Sequence, residues 1–127
     1  MEKKYTFTEK QYNSDYGMIT YVWGPMLWHF LHIISFNYPV NPNEYNKKHN
    51  YCKGFIQNIY YFFIKLLQYI LPCKSCRDNL ENNLNVLNFK QNKNQIMKNR
   101  KSFSKFVYQL HEVVNKMLNK KSNLTYG

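Results

Sequence analysis

Apolar residues recur at helical spacing in four separate stretches of the chain, and nowhere do they alternate over any length with a strand's period of two. The first stretch opens at Trp23-Gly24-Pro25, proline being tolerated in a helix's first turn, where its missing N–H leaves no bond unmade. Leu27, then Phe30 or Leu31, then Ile34 follow at helical intervals, Trp28, His32 and Ser35 share the adjacent face, and Asn37-Tyr38-Pro39 ends the run. Pro39, Pro42 and the asparagines between 41 and 50 predict a loop. A second helix is predicted from about residue 51 to 70, apolar over much of its circumference and therefore central in a bundle, with Phe55, Ile59, Phe62, Phe63, Leu66 and Leu67 expected inward. Pro72 breaks it, because the residue before a proline avoids helical geometry. Cys73 restarts a helix whose apolar side is Leu80, Leu84 and Leu87. Residues 88–101 are polar and lysine-rich and predict a surface loop, after which Ser102 is placed to cap a last helix. That helix carries Phe103, Phe106, Val107, Leu110, Val113, Val114, Met117 and Leu118 on one side.

Four helices with short connections predict an all-α bundle in one domain of about residues 18–121, with a loose N-terminal arm (1–17) and a short C-terminal segment (122–127). Tyr5, Phe7 and Tyr12 of the arm could pack locally or dock on a partner. A chain of 127 residues buries a real core without many cross-links. The most apolar window, 55–71, is interrupted by Gln57, Asn58, Lys65 and Gln68, which argues against a membrane span. The charged start (Glu2, Lys3, Lys4) has no apolar run behind it, so no signal peptide is expected.

The net charge of +11 invites a nucleic-acid reading. Of the 18 basic residues, however, all but Arg77 and Arg100 are lysines, and apart from the Lys90–Lys101 segment they are dispersed. Asn, Lys, Tyr, Ile and Phe, the residues of A/T-rich codons, abound, so codon composition alone accounts for the charge and no specific nucleic-acid partner is expected.

The chemistry concentrates in Leu71-Pro72-Cys73-Lys74-Ser75-Cys76, which holds two of the three cysteines. An odd count without an export signal disfavours a framework of structural disulfides. At a helix N-terminus, unpaired N–H groups and the macrodipole favour a thiolate, and Lys74 and Arg77 add positive charge. A dithiol redox centre, half of a zinc site completed by His29 and His32, and two inert thiols all remain open. The zinc alternative makes the chain a small helical interaction module. The usual fold for a redox Cys-x-x-Cys needs strands around it, whereas here a long helical run precedes it. Trp28 and His32 on the first helix, and Tyr108, His111, Asn115 and Leu118 on the last, offer an aromatic plane, imidazoles and an amide suited to a flat heteroaromatic ligand.

Four segments in series, Trp23-Gly-Pro-Met-Leu-Trp28-His-Phe-Leu-His32, Tyr38-Pro39, Leu71-Pro-Cys73-Lys-Ser-Cys76 and Leu110-His111-Glu-Val-Val-Asn115-Lys-Met-Leu118, resemble the Erv/ALR family of FAD-linked sulfhydryl oxidases over roughly residues 20–121. The resemblance implies a bundle of four helices plus a short fifth, usually a homodimer, with FAD in the bundle mouth. It implies that the chain oxidises thiols of protein substrates to disulfides and passes the electrons to O2, giving H2O2. Cys73 matches the cysteine that meets the incoming thiolate and Cys76 the one beside the isoalloxazine. Trp28, His32, His111, Asn115 and Lys120 match the family's cofactor contacts; Gly24, Tyr38, Tyr108, Val114 and Leu118 are expected as further contacts, and Tyr126 as an aromatic covering the flavin. No metal ligand is implied. Glu112 and Asn119 depart from the family's Asn and Gly, so the adenosine end is expected to bind differently. No cysteine follows Cys76, so the family's long-spaced structural disulfide is absent, and Cys52 is left alone, without a shuttle partner. The residue usage and missing signal resemble members encoded by large cytoplasmic DNA viruses, which implies the host cytoplasm and the virion as locations.

Overall fold

A computed structural model describes residues 20–122, with side chains over 23–117. The N-terminal arm and the last segment lie outside the described residues, apart from Ser122. All regular elements are helices: α1 (Thr20–Asn37), α2 (Pro42–Lys48), α3 (Phe55–Ile70), α4 (Lys74–Val86), α5 (Lys93–Ile96) and α6 (Arg100–Ser122). The expected all-α bundle is present, as four long helices plus two short ones.

The differences from the sequence reading are local. Helix α1 begins at Thr20, ahead of Trp23, so Pro25 is its sixth residue rather than part of its first turn, and the helix forgoes one backbone N–H bond there. The predicted loop after Pro39 contains α2. Asn41 caps it by accepting from the Glu44 N–H at 3.2 Å, a proline opens it, and Lys47 and Lys48 face its C-terminal dipole. Helix α3 starts at Phe55, because Gly54 in the left-handed region (φ 79°) turns the chain just before it. The lysine-rich 88–101 segment is anchored by buried Phe89, Ile96 and Met97 and contains α5. Asn99, three residues before Ser102, supplies the cap of α6: its Oδ1 accepts from the Ser102 N–H at 2.8 Å.

The inward face of α3 is also corrected. Tyr61, Ile64 and Leu67 are buried and Phe63 is half-buried, whereas Phe55, Ile59, Phe62 and Leu66 are exposed. The apolar stripe of Phe55, Ile59, Phe62 and Leu66 faces out, and half-buried Gln57, Lys65 and Gln68 flank the buried side, so packing partners rather than the stripe decide. On α1, Leu31 is the buried choice and Phe30 points out.

Helix α1 packs along α6 and α3 along α4, which makes two close pairs. At one end two groups of rings join the pairs. Tyr61 stacks on Phe89 (centroids 4.6 Å apart, planes 9° apart), and Phe89 stacks on Phe106 (4.9 Å). Tyr38 meets Phe103 at 5.1 Å and Tyr60 at 4.9 Å. Such rings dominate core energetics, each burying large apolar area. Tyr38 also clamps the end of α1 to the start of α6: its hydroxyl donates to the Met97 carbonyl at 2.6 Å, and its own carbonyl accepts from Arg100 Nε at 2.6 Å. Beyond the rings, toward the other end, the two pairs part.

Tyr38 is fully buried. Replacing it with Phe strands the Met97 carbonyl in the core and is expected to cost about 1–3 kcal/mol. Thermal melting should fall by roughly 4 °C or more with helical circular dichroism unchanged; an unaltered melt would show that the clamp contributes nothing.

Candidate active site

Where the two helix pairs part, a cleft opens with about 760 Å3 of empty space, mouth included. All four long helices wall it. Trp23, Leu27, Trp28 and Leu31 come from α1; Leu67 from α3, with Leu71 at its C-cap; Leu110, Val114 and Met117 from α6; and Ser75, Cys76, Asn79, Leu80 and Asn83 from α4. Three walls are therefore apolar or indole-lined, and the polar groups cluster along α4.

The two sulfurs are set apart by the helix start. Leu71, with ψ 141°, leaves helical geometry before Pro72, and Cys73 becomes the N-cap of α4. Cys73 Sγ accepts from the Cys76 N–H at 3.3 Å and lies 3.1 Å from Ser75 Oγ. Cys76, one turn on, lines the cleft. Arg77 ties the turn down, its Nη1 donating to the Leu71 carbonyl at 2.6 Å. Lys74, expected to add positive charge to the sulfurs, instead pairs with Asp78 at 3.1 Å on the exposed side. The N-terminus of α4 sets its dipole at Cys73.

Facing α4 across the cleft, Trp28 stacks on His111 with centroids 4.2 Å apart and planes 8° apart. His32 Nε2 lies 2.9 Å from His111 Nδ1, so one ring donates and the other accepts. The imidazoles back and orient the indole, and the indole forms the cleft wall. Burial, reinforced by His32, lowers the His111 pKa below its ordinary value of 6.5.

The other expected contacts divide. Val114 lines the cleft. Tyr108 and Asn115 are exposed on α6, and Gly24 is buried on α1. Tyr38 stands in the core away from the cleft, held there by the Met97 bond. The side chains of Leu118 and Lys120, and Tyr126 altogether, lie outside the described residues. Sequence reasoning missed Asn79 and Asn83; their spacing of three and seven residues from Cys76 puts all three on one helical face. Among the described residues no three His, Cys, Asp or Glu side chains gather into a metal set, and His32 is directed at His111 rather than at the cysteines. An apolar slot with one indole wall, one polar strip and a sulfur in that strip fits a flat heteroaromatic group with one hydrogen-bonding edge.

An all-helical bundle that sets a Cys-x-x-Cys pair at a helix entrance, one sulfur inside a flat-ligand cleft, defines a class distinct from the strand-based dithiol proteins. The chain belongs to the Erv1/Alr family, whose sequence profile matches residues 25–125. It is 33% identical over 104 residues to a protein of Acanthamoeba polyphaga mimivirus, covering 82% of this chain and 63% of that one. It is 27% identical over 101 residues to one of Invertebrate iridescent virus 6, covering 79% and 82% respectively. Both relatives are named, provisionally, as FAD-linked sulfhydryl oxidases. The chain thus spans just under two thirds of the mimivirus protein's length.

Because the folded His111 binds its proton less readily than the unfolded one, acid favours unfolding. The stability it contributes is present above pH 6.5 and lost as pH falls through the lower folded value. Melting temperature should therefore drop below about pH 6.5, and His111→Phe, which retains a ring against Trp28, should flatten that part of the profile. A profile identical in the variant would exclude His111 as the source.

Proposed function

We propose that the protein is an FAD-dependent thiol oxidase in which Cys73 and Cys76 cycle between disulfide and dithiol. The observation that carries this reading is the division of the two sulfurs: Cys76 lines the cleft and Cys73 caps the helix outside its lining. The family membership and the names of the viral relatives support it.

In the cycle a substrate thiolate attacks Cys73 Sγ of the Cys73–Cys76 disulfide. A mixed disulfide forms on Cys73, and Cys76 departs as a thiolate into the cleft. A second substrate thiolate then attacks the substrate sulfur of the mixed disulfide, releasing oxidised substrate and leaving Cys73 as a thiolate at the helix N-terminus. The Cys76 N–H and the α4 dipole stabilise that thiolate, which lowers the barrier to its departure. The pair now holds two more electrons than before. Bound FAD supplies the acceptor for that electron pair and its onward transfer to O2, yielding H2O2. Trp28, oriented by the His111–His32 pair, gives the cofactor a flat apolar wall, and the leucines of α1 and α3 exclude water from it.

The active unit is a homodimer. Met26, Phe30, Ile33 and Phe36 form an exposed apolar stripe on α1, and Ile59, Phe62, Leu66, Tyr69 and Ile70 form another on α3. Contiguous apolar surface of this kind marks an association face. Kinship with viral proteins supports a location in the host cytoplasm and the virion, with thiols of proteins made there as substrates.

Two measurements test the reading. Cys76→Ser should retain FAD, seen as a yellow protein, and lose thiol-dependent O2 uptake by about a thousandfold or more; sustained turnover would overturn the role given to Cys76. Phe30→Glu with Leu66→Glu should convert a dimer to a monomer in sedimentation, and an unchanged sedimentation coefficient would overturn that interface.

A further inference from the structure

Asn83 is one of the few polar side chains buried in this fold, only 6% exposed. It lines the cleft among Leu80, Leu110 and Met117. Its only side-chain hydrogen bond among the described residues runs from Nδ2 to Met117 Sδ at 4.0 Å. A thioether is a weak acceptor, and no donor among the described residues serves Oδ1. Buried amides are otherwise almost always satisfied. Seven residues before it on the same face stands Cys76, with Asn79 between them, so the amide belongs to the polar strip that carries the cleft's sulfur.

We propose that Asn83 is a cofactor-binding residue whose side-chain amide pairs with the hydrogen-bonding edge of the flat ring beside Cys76, fixing the ring's orientation and raising its redox potential. This deepens the oxidase reading and rests on it. An isoalloxazine is amphipathic in its own plane: one edge carries carbonyls flanking an N–H, and the opposite edge is a dimethylbenzene. The cleft is amphipathic in the same sense, with amides along α4 and hydrocarbon on α1, α3 and α6. A primary amide presents a donor and an acceptor side by side, which matches a carbonyl and its neighbouring imide N–H. No other polar side chain in the cleft is so deeply buried, so no other group competes for that edge as effectively. Two-electron reduction places negative charge on the same edge, where an N–H donor stabilises it and a carboxylate opposes it.

The test uses the full chain as wild type, Asn83→Leu and Asn83→Asp, each stripped of cofactor and titrated with FAD. Asn83→Leu should bind FAD about tenfold or more weakly, with a shifted flavin absorption band. Its cofactor-free form should melt at or above the wild-type temperature, because the lost amide had no strong partner within the protein. Asn83→Asp should bind more weakly and show a lower midpoint potential by dye equilibration. If both variants match wild type in affinity, spectrum and potential, the inference is overturned and the oxidase reading stands. The inference fails equally if cofactor-free Asn83→Leu melts well below wild type while its FAD affinity is unchanged, since the amide is then structural. Wild-type protein that takes up no FAD overturns the oxidase reading and this inference together.

Discussion

The fold depends on how two close helix pairs are joined at one end and separated at the other. Tyr38, Tyr60, Tyr61, Phe89, Phe103 and Phe106 fill the space between the α1/α6 and α3/α4 pairs with rings in contact. Toward the far end Leu27, Leu31, Leu67, Leu71, Leu110 and Val114 face the gap, and the indoles of Trp23 and Trp28 stand along one wall of it, so a cleft is left there.

That arrangement explains why the chemistry sits where it does. Helix α3 must stop at the cleft, and Pro72 stops it. The restart gives Cys73 the N-cap position, normally held by an oxygen-bearing side chain, so a sulfur takes over the task of accepting a helix N–H. One turn inward the helix delivers Cys76 to the wall. The tie from Arg77 to the Leu71 carbonyl keeps the turn from unwinding although its sulfurs are partly exposed. Across the gap, the His32–His111 bond and the Trp28–His111 stack fix an indole whose ring would otherwise be free to rotate about its two side-chain torsions.

Much of this was legible in the sequence, and the exceptions share a cause. The four long helices show in their periodicity, and the placement of Cys73 at a helix start follows from Pro72 and the polar run behind it. The resemblance to the family brought Trp28, His32 and His111 together across 79 and 83 residues of chain, which no local pattern could do. Helix α2 was hidden because Asn41, Pro42 and Glu44 spell a cap and a first turn as readily as a loop, and the whole helix is only seven residues long. The inward face of α3 was illegible because its most apolar stripe, Phe55, Ile59, Phe62 and Leu66, is the one left outside, and its neighbours rather than its own sequence select Tyr61 and Ile64. Asn83 was invisible for a different reason: in a chain this rich in asparagine, one more carries no signal until burial singles it out.

The two apolar faces of α3 follow from the same geometry. A bundle whose pairs are held apart has fewer side chains to cover each helix than a close-packed one, so the outer stripe of α3 has no partner within the described chain. Covering that stripe with a second copy would remove apolar surface from water at about 25 cal/mol per Å2. It would also brace the helix that delivers Leu67 and Leu71 to the cleft. Self-association would then stabilise from outside the helix that walls the cleft from inside, which is one way a chain with no cysteine after Cys76 could keep that wall in place.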